Sequence, residues 1–207
     1  MNDEYYVKDG IAYERVTRII DSFSPPELVE WKVRVGKAEA NRVSKVALKF
    51  GSRVHELIEK DERVSKKDSE EVKNCMKAWD SWLADNNHPM IMNGVTLYDE
   101  ARQIAGTPDF MVGPELVDIK TSREVKASHF IQLGGYASMM VSRPTKVSIL
   151  RLDKQAGIYE CVDNEKIGIT VEQCIAAFNY LLGYYRFYNR VQSTLKPKVA
   201  LPQGEIE

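Results

Sequence analysis

The sequence predicts an α/β (α+β) fold in which a central mixed β-sheet is flanked by helices. Apolar residues recur at helical spacing in the first and last parts of the chain, and the period changes to that of strands in the middle. Turn signals such as Gly113-Pro114 separate the strand-like runs. The resulting order is helices, three strands, a helix, two strands and a helix, which is typical of a layered α/β domain.

The individual elements follow from local patterns. Residues 10–20 are predicted as a short strand or the start of a helix, and the Ser24-Pro25-Pro26 break leads into a helix with Val29 and Val33 on its apolar side. Apolar residues three and four apart favour further helices, one of which ends at Asn86-Asn87-His88-Pro89. The further helices are predicted at residues 38–62, 69–86, 126–142 and 170–192, and the strands at 95–101, 104–112, 116–121, 146–152 and 157–163.

The composition is that of a folded protein in a reducing compartment. The chain has 207 residues, of which 43% are hydrophobic and 29% charged, and this argues against wholesale disorder. Its three cysteines are widely spaced, which excludes a disulfide scaffold and a cysteine-only zinc or iron–sulfur site, so no iron–sulfur cluster is expected. No apolar run approaches a bilayer span, and the first residues lack signal-peptide features. We therefore expect a cytoplasmic protein with no membrane contact.

The net charge of −1 hides a segregated charge distribution. Residues 32–53 hold seven basic residues and one acid, and residues 120–154 hold seven basic residues and two acids. No acidic residue lies between Gln173 and Gln203. Such segments either build a groove that follows the phosphates of a nucleic acid or are the solvated faces of surface helices. Charge alone favours the second interpretation.

The residues with the clearest chemical potential are Asp109, Asp118 and Lys120. On a strand, Asp118 and Lys120 point to the same face, although a plain surface ion pair explains that spacing as well. Pro108 marks a sheet edge or an irregular strand, and a hairpin through Gly113-Pro114 can bring Asp109 next to Asp118. Two close carboxylates repel each other unless they share a proton or bind a cation. Their hard oxygen atoms suit Mg²⁺ or Mn²⁺, so we expect one of these ions as a cofactor.

Four short motifs resemble those of the PD-(D/E)XK nuclease superfamily in its RecB-type branch, and they occur in the family's order. They are Gly51-Ser-Arg-Val-His55-Glu-Leu-Ile-Glu59, Gly106-Thr107-Pro108-Asp109, Asp118-Ile119-Lys120 and Gln132-Leu-Gly-Gly-Tyr136. The resemblance spans residues 16–152, and its N-terminal part is similar to phage exonucleases and the mitochondrial genome maintenance exonuclease. The chain length and the lack of a linker predict one domain over 1–207, and the prolines and Gly204 predict a loosely ordered tail at 193–207. The resemblance implies a helical N-terminal extension at 1–50 and a PD-(D/E)XK core at 51–192.

The resemblance also implies roles for the central residues. Asp109, Asp118 and the backbone carbonyl of Ile119 would bind the divalent metal ion, with His55 as a further ligand. Lys120 would hold or deprotonate the attacking water and support the charge that develops on the phosphate.

Other residues would surround this centre. Gln132 and Tyr136, one helical turn apart, would orient water, the lysine or DNA. Glu59 and Glu100 are two further candidate carboxylates. An intrahelical ion pair with Arg63 explains Glu59 as well, and a charge at a strand end explains Glu100 as well.

Candidate DNA contacts lie before and after the motifs. The basic ones are Arg42, Lys45, Lys49 and Arg53, and the hydroxyl-bearing ones, which can also simply cap a turn, are Thr121 and Ser122. On the last predicted helix, four tyrosines lie next to Arg186 and Arg190, which invites an interpretation as a base-stacking surface. The favoured interpretation there is that Tyr185 belongs to the core while Tyr180, Tyr184 and Tyr188 form amphipathic cover.

Taken together, the motifs predict a metal-dependent DNA nuclease, with an exonuclease of phage-type DNA replication, recombination or repair as the first hypothesis. The expected partner is DNA, replication or recombination proteins are further candidates, and the oligomeric state stays open; a phage-encoded protein would act in the host cytoplasm. One alternative is a non-catalytic DNA-binding or assembly subunit, against which the intact Asp109, Asp118 and Lys120 argue. Another is a structure- or sequence-specific endonuclease, although 207 residues leave little room for a target-reading domain.

Overall fold

The computed structural model describes residues 5–86, 90–91 and 94–195. The first element of the described part is a hairpin. Strands β1 (Tyr5–Lys8) and β2 (Ile11–Arg15) pair antiparallel. The two residues between them, Asp9 and Gly10, have φ angles of 52° and 77°. Since an Asp-Gly pair adopts positive φ readily, it makes the tight turn that this hairpin needs.

Helices and strands then follow in the predicted alternation. Four helices follow the hairpin, and Ser69 caps the fourth by accepting a hydrogen bond from the backbone N–H of Val72. The elements are α1 (Val16–Asp21), α2 (Pro26–Val35), α3 (Lys37–Glu59), α4 (Glu70–Asp85), β3 (Met90–Ile91), β4 (Leu97–Asp99), β5 (Ile104–Gly106), β6 (Phe110–Val112), β7 (Glu115–Lys120), α5 (Ala127–Met139), β8 (Lys146–Leu152), β9 (Tyr159–Asp163) and α6 (Val171–Leu195).

The larger of the two sheets has five strands in the order β3-β6-β7-β8-β9. β6 and β7 form a hairpin through Gly113, β7 and β8 are parallel, and β8 and β9 are antiparallel. Helix α5 connects the two parallel strands, as a parallel pair requires a long crossover. The predicted class, a mixed sheet flanked by helices, is confirmed.

A smaller sheet of four strands has the order β1-β2-β5-β4. Residues 104–112 were predicted as a single strand, and that prediction is wrong, because they form β5 in the small sheet and β6 in the large one. Pro108 lies at the break, where it has no backbone N–H to give to a ladder. The chain therefore passes from one sheet to the other at Thr107-Pro108-Asp109.

The large sheet carries an apolar core on each face. Helices α1, α5 and α6 cover one face, where Leu116 and Phe178 are fully buried. Helices α3 and α4 cover the other, where Leu57 and Leu150 are fully buried. Each fully buried side chain of this size contributes about 1.5–3 kcal/mol to folding. Strand β7, between these two cores, is therefore a rigid support for its polar side chains.

Helix α2 and the first half of α3 lie outside both cores. Helix α2 buries no side chain, and Val29 and Val33 are exposed, so the predicted apolar side of this helix is wrong. Residues 41–49 of α3 are exposed as well. The helical repeat of apolar residues continues beyond the part of α3 that reaches the sheet, which is why periodicity overstated the burial here.

The remaining predictions concern the chain's ends and membranes. The predicted tail lies outside the described residues from position 196 onward, and residues 193–195 complete α6. The predicted stop at 87–89 also falls outside them. Among the helices of the described part, none is long and apolar enough to cross a membrane.

Candidate active site

The β6–β7 hairpin brings the two central carboxylates together. Phe110 pairs with Val117, so Asp109, one residue earlier, faces the level of Asp118 on β7. Asp109 Oδ2 accepts a hydrogen bond of 2.6 Å from the backbone N–H of Ile119. The close approach expected from the hairpin is thus present, and the backbone of β7 fixes one oxygen of Asp109.

Asp118 and Lys120 lie side by side on the same face of β7. Lys120 Nζ is 2.6 Å from Asp118 Oδ2, and the Asp118 residue is only 2% exposed. This ion pair compensates the burial of Asp118 Oδ2, since no other donor among the described residues reaches that oxygen.

Gln132 on α5 connects this ion pair to the helix. Its Oε1 accepts a hydrogen bond of 3.1 Å from Lys120 Nζ, and its Nε2 donates one of 3.1 Å to Asp118 Oδ1. The same Nε2 lies 2.8 Å from the hydroxyl of Tyr136, one turn later. One amide side chain therefore holds the lysine, the carboxylate and the tyrosine in fixed positions.

Helix α3 supplies the imidazole from the opposite face of the sheet. His55 Nδ1 lies 2.9 Å from Asp109 Oδ1, while the neighbouring Val54 and Leu57 are buried in the core beneath. Glu59, one turn later, lines with His55 and Thr107 a small cavity at the junction between the two sheets. The side chain of Glu59 also lies against Gly94.

The two carboxyl groups have opposite pKa shifts. Burial raises the pKa of Asp118, and Asp109 raises it further against the attraction of Lys120. Burial also acts to raise the pKa of Asp109, but His55, Lys120 and the Ile119 N–H outweigh burial and lower it. The pKa of His55 is raised because the attraction of Asp109 outweighs burial. Of the two carboxyl groups, Asp109 is therefore the more easily ionised, and Asp118 is the one whose ionised form is less fully compensated.

The donor set fits a hard divalent cation that keeps much of its water. Across the described ranges, no three His, Cys, Asp or Glu side chains are close enough together to hold a metal alone. Mg²⁺ usually needs only one or two carboxylates besides water and substrate oxygens. Asp109 and Asp118 provide these two carboxylates, and Asp118 Oδ2, whose one partner among the described residues is the Lys120 ammonium, has lone pairs left for a cation.

The other candidate residues do not all lie at this group or have a free charge. Glu100 follows β4 at the end remote from Thr107 and pairs with Lys8 at 3.1 Å, so it is not brought to this group. Arg53 is held by Asp68 and Glu56, and Arg42 forms a two-bond pair with Glu39 on the surface of α3. Ion pairs therefore already occupy two of the four candidate DNA-binding cations.

Four candidate DNA contacts remain on open surface near the site. Lys45 and Lys49 are exposed on α3. Thr121 and Ser122 line a groove at the carboxyl ends of β7 and β8, although the Ser122 hydroxyl already donates to Glu124 O. These positions are compatible with phosphate contacts along the edge that bears Lys120.

Sequence reasoning missed Asp21, at the end of α1. Burial raises the pKa of its carboxyl, and the Lys120 ammonium opposes that rise, so the two charges lie near each other. In the sequence, Asp21 is distinguished only by following the apolar pair Ile19-Ile20. This pattern gives no information about a partner about a hundred residues later. The contact arises from the packing of α1 beside α5.

Comparisons with known proteins identify no family. No family model matches the chain, and no curated protein matches it. Among solved structures, the chain is similar to an alkaline exonuclease (LHK-Exo) from Laribacter hongkongensis, with 14% identity, a TM-score of 0.44, and coverage of 88% of this chain and 94% of that chain. It is also similar to a phage related exonuclease from Haemophilus somnus 129PT, with 14% identity, a TM-score of 0.42, and coverage of 69% and 82%.

A third solved structure, SSO0001, gives 16% identity, a TM-score of 0.43, and coverage of 95% of this chain and 90% of that chain. At these identities and TM-scores, the likenesses are too weak to carry an argument about function. The functional proposal therefore rests on the geometry of the site.

Proposed function

We propose that this protein is a metal-dependent DNA nuclease that hydrolyses phosphodiester bonds. The observation that supports this most is the convergence of four separate sequence motifs on one hydrogen-bonded group. His55 contacts Asp109, Asp109 contacts the backbone of β7, and Gln132 joins Lys120 to Asp118. A plain surface ion pair needs none of these partners.

Each residue has a chemical role in this proposal. Asp109 and Asp118 hold Mg²⁺ or Mn²⁺, with His55 and the carbonyl of Ile119 as further donors. A divalent cation there would acidify water and neutralise charge on the phosphate. Lys120, held by Gln132, positions or deprotonates the attacking water and faces the charge that develops on the phosphate. Tyr136 fixes the amide of Gln132, so it acts through Gln132 rather than on the substrate.

We also propose that the activity is that of an exonuclease in DNA replication, recombination or repair of the phage type. The support is the exposed half of α3, residues 41–49, which carries Lys45 and Lys49 and precedes His55 on the same helix. A basic helix in that position can guide a DNA end towards the site. Replication or recombination proteins are the partners that fit such an enzyme.

The test is degradation of end-labelled linear DNA, single- and double-stranded, in Mg²⁺, in Mn²⁺ and in EDTA, beside a circular DNA of the same sequence. We expect shortening from one end in either metal, none in EDTA, and an intact circle. The position of the label gives the polarity in the same gel.

Other outcomes support other functions. Cutting of the circle as fast as the linear DNA contradicts the exonuclease and supports an endonuclease. Binding without cleavage in every metal contradicts catalysis and supports a DNA-binding subunit.

A further inference from the structure

The outer face of α6 is an exposed aromatic stripe. Tyr180, Tyr184, Phe187 and Tyr188, called here the α6 stripe, are between 49% and 81% exposed, whereas Tyr185 is buried. The prediction of a core Tyr185 therefore agrees with the structure, whereas the other three tyrosines are exposed. Soluble proteins seldom expose so many large apolar side chains in one row without a ligand for them.

The geometry of the stripe suits flat rings. The rings of Tyr184 and Tyr188 lie 6.1 Å apart with an angle of 27° between their planes. Gly183 lies between Tyr180 and Phe187 on the same face, and a Cβ added there would meet nothing within 4 Å. The helix thus presents aromatic rings on both sides of an open notch, where another planar group can lie against the rings.

The stripe borders a groove that reaches helix α5, the helix that carries Gln132. Tyr184 and Leu181 line this groove together with Phe23 and with Ile131, the residue next to Gln132. The stripe and the proposed nuclease site are therefore connected through the same helix.

The charge beside the stripe favours one occupant. Arg190 lies one turn after Phe187 on α6, whereas Arg186 is on the other side of the helix, where its guanidinium donates to the backbone carbonyl of Arg102. No acidic residue occurs from Gln173 to Leu195. A second copy of this chain docked on this face would bring its own Arg190 against that of the first copy, with no acid of α6 to pair them. A polyanion with aromatic bases fits both the rings and Arg190.

We propose that the α6 stripe is a stacking platform for the unpaired bases of single-stranded DNA next to the nuclease site. This inference rests on the proposed function, since it names the strand form that the site receives or releases. Base stacking on exposed aromatic rings is tolerant of sequence, so the platform holds a strand without reading it.

The experiment measures binding without cleavage. Fluorescence anisotropy in EDTA, with the Lys120→Ala protein, compares a labelled oligothymidylate, its abasic counterpart and a blunt duplex. We expect the single strand to bind more tightly than the other two. The Tyr184→Ala/Tyr188→Ala variant should lose about tenfold in affinity for the single strand, because stacking contributes about 1–3 kcal/mol per base.

Three variants separate stacking from stability. Gly183→Leu fills the notch and should weaken the binding of single-stranded DNA. Because leucine favours a helix over glycine, this substitution should not destabilise the fold. The Tyr184→Phe/Tyr188→Phe variant keeps the rings and should bind normally. Ile158→Ala, at an exposed residue outside α6, is the matched control and should also bind normally.

Several results would overturn the platform. Equal affinity for the abasic strand, or unchanged affinity after loss of both rings, contradicts stacking. If the ring variants change the oligomeric state in sedimentation but not DNA binding, the stripe is an interface between copies and the inference is wrong. Cleavage in Mg²⁺ is measured separately. If single-stranded DNA binds through the α6 stripe but is not cleaved, only the proposed nuclease function is refuted. If DNA is cleaved but its binding is unchanged by the ring substitutions, only the stacking platform is refuted.

Discussion

Gln132 carries the most connections of any side chain in the candidate site. It accepts from Lys120, donates to Asp118 and lies against the hydroxyl of Tyr136. Because the same amide contacts both members of the ion pair, it sets their separation and the direction of the lysine. An aspartate and a lysine on one strand face have no such restraint by themselves.

Replacement of this amide should slow the reaction more than it weakens binding. Hydrogen bonds to charged groups contribute about 1.5–3 kcal/mol, so Gln132→Met should lower kcat by about tenfold or more. The affinity for DNA in EDTA should change little, since Gln132 is mainly engaged with protein atoms. Single-turnover cleavage and anisotropy on the same preparations separate the two quantities.

Tyr136→Phe is the graded comparison for this variant. It removes only the hydroxyl beside the amide, so its loss of rate should be smaller than that of Gln132→Met. A Gln132→Met protein with wild-type kcat and weaker DNA binding would contradict the positioning role.

His129 at the start of α5 should make stability depend on pH. Its Nδ1 accepts a hydrogen bond of 3.1 Å from the backbone N–H of Lys126, and burial with the nearby lysines lowers its pKa to about 3. The unfolded chain takes up this proton near pH 6.5 and the folded chain does not. Stability should therefore fall as the pH drops below 6.5, by up to about 1.4 kcal/mol per unit.

The matched variant for this prediction is His129→Gln, which keeps an acceptor three residues into the cap and does not titrate. Urea unfolding at pH 7 and pH 5 should show a smaller acid loss in the variant than in the wild type. An equal loss in both proteins would assign the acid sensitivity to other groups.

At the scale of elements, α5 and α6 are held together at a pair of glycines. A Cβ on Gly134 would clash with the backbone carbonyl of Cys174, and one on Gly135 would meet Val16 and Phe178. The backbones of the two helices are therefore in direct contact. This contact fixes the height of Gln132 and Tyr136 above β7.

Two glycine substitutions should shift stability in opposite directions. Gly134→Ala forces the helices apart and should cost about 3 kcal/mol, at the upper end of overpacking penalties. Gly183→Ala, on the open face of α6, should gain about 0.5–1 kcal/mol because alanine favours a helix over glycine. Thermal unfolding of both variants measures the difference. A destabilised Gly183→Ala protein would mean that the α6 stripe packs against something in solution.

The elements were largely predictable, and the exceptions have identifiable causes. Strand β1 was not predicted, although the Asp9-Gly10 pair between Tyr5-Tyr6-Val7 and Ile11-Ala12-Tyr13 is typical of a hairpin turn. The prediction of a single strand at 104–112 is wrong because the chain changes sheets at Pro108. Periodicity placed Val29 and Val33 on an apolar face, but whether a helix has a neighbour is decided by tertiary packing.

At the scale of the whole molecule, the site forms where four elements meet at one end of the large sheet. The motif order predicted that His55, Asp109, Lys120 and Gln132 belong together, and the structure brings them together. The exposure of the α6 stripe could not be read from its sequence. Tyrosines three and four apart fit a buried face and an exposed face equally well.

The most direct test of the central claim is the rate of phosphodiester cleavage in Mg²⁺ by the wild type, Lys120→Ala and Lys73→Ala. Lys73 pairs with Glu70 on α4, on the surface, so its removal is the matched loss of one lysine. We expect Lys120→Ala to lose about a hundredfold or more in rate, as for removal of a general acid or base, and Lys73→Ala to retain the wild-type rate. Cleavage by Lys120→Ala at the wild-type rate, or no cleavage by the wild type, would contradict the account.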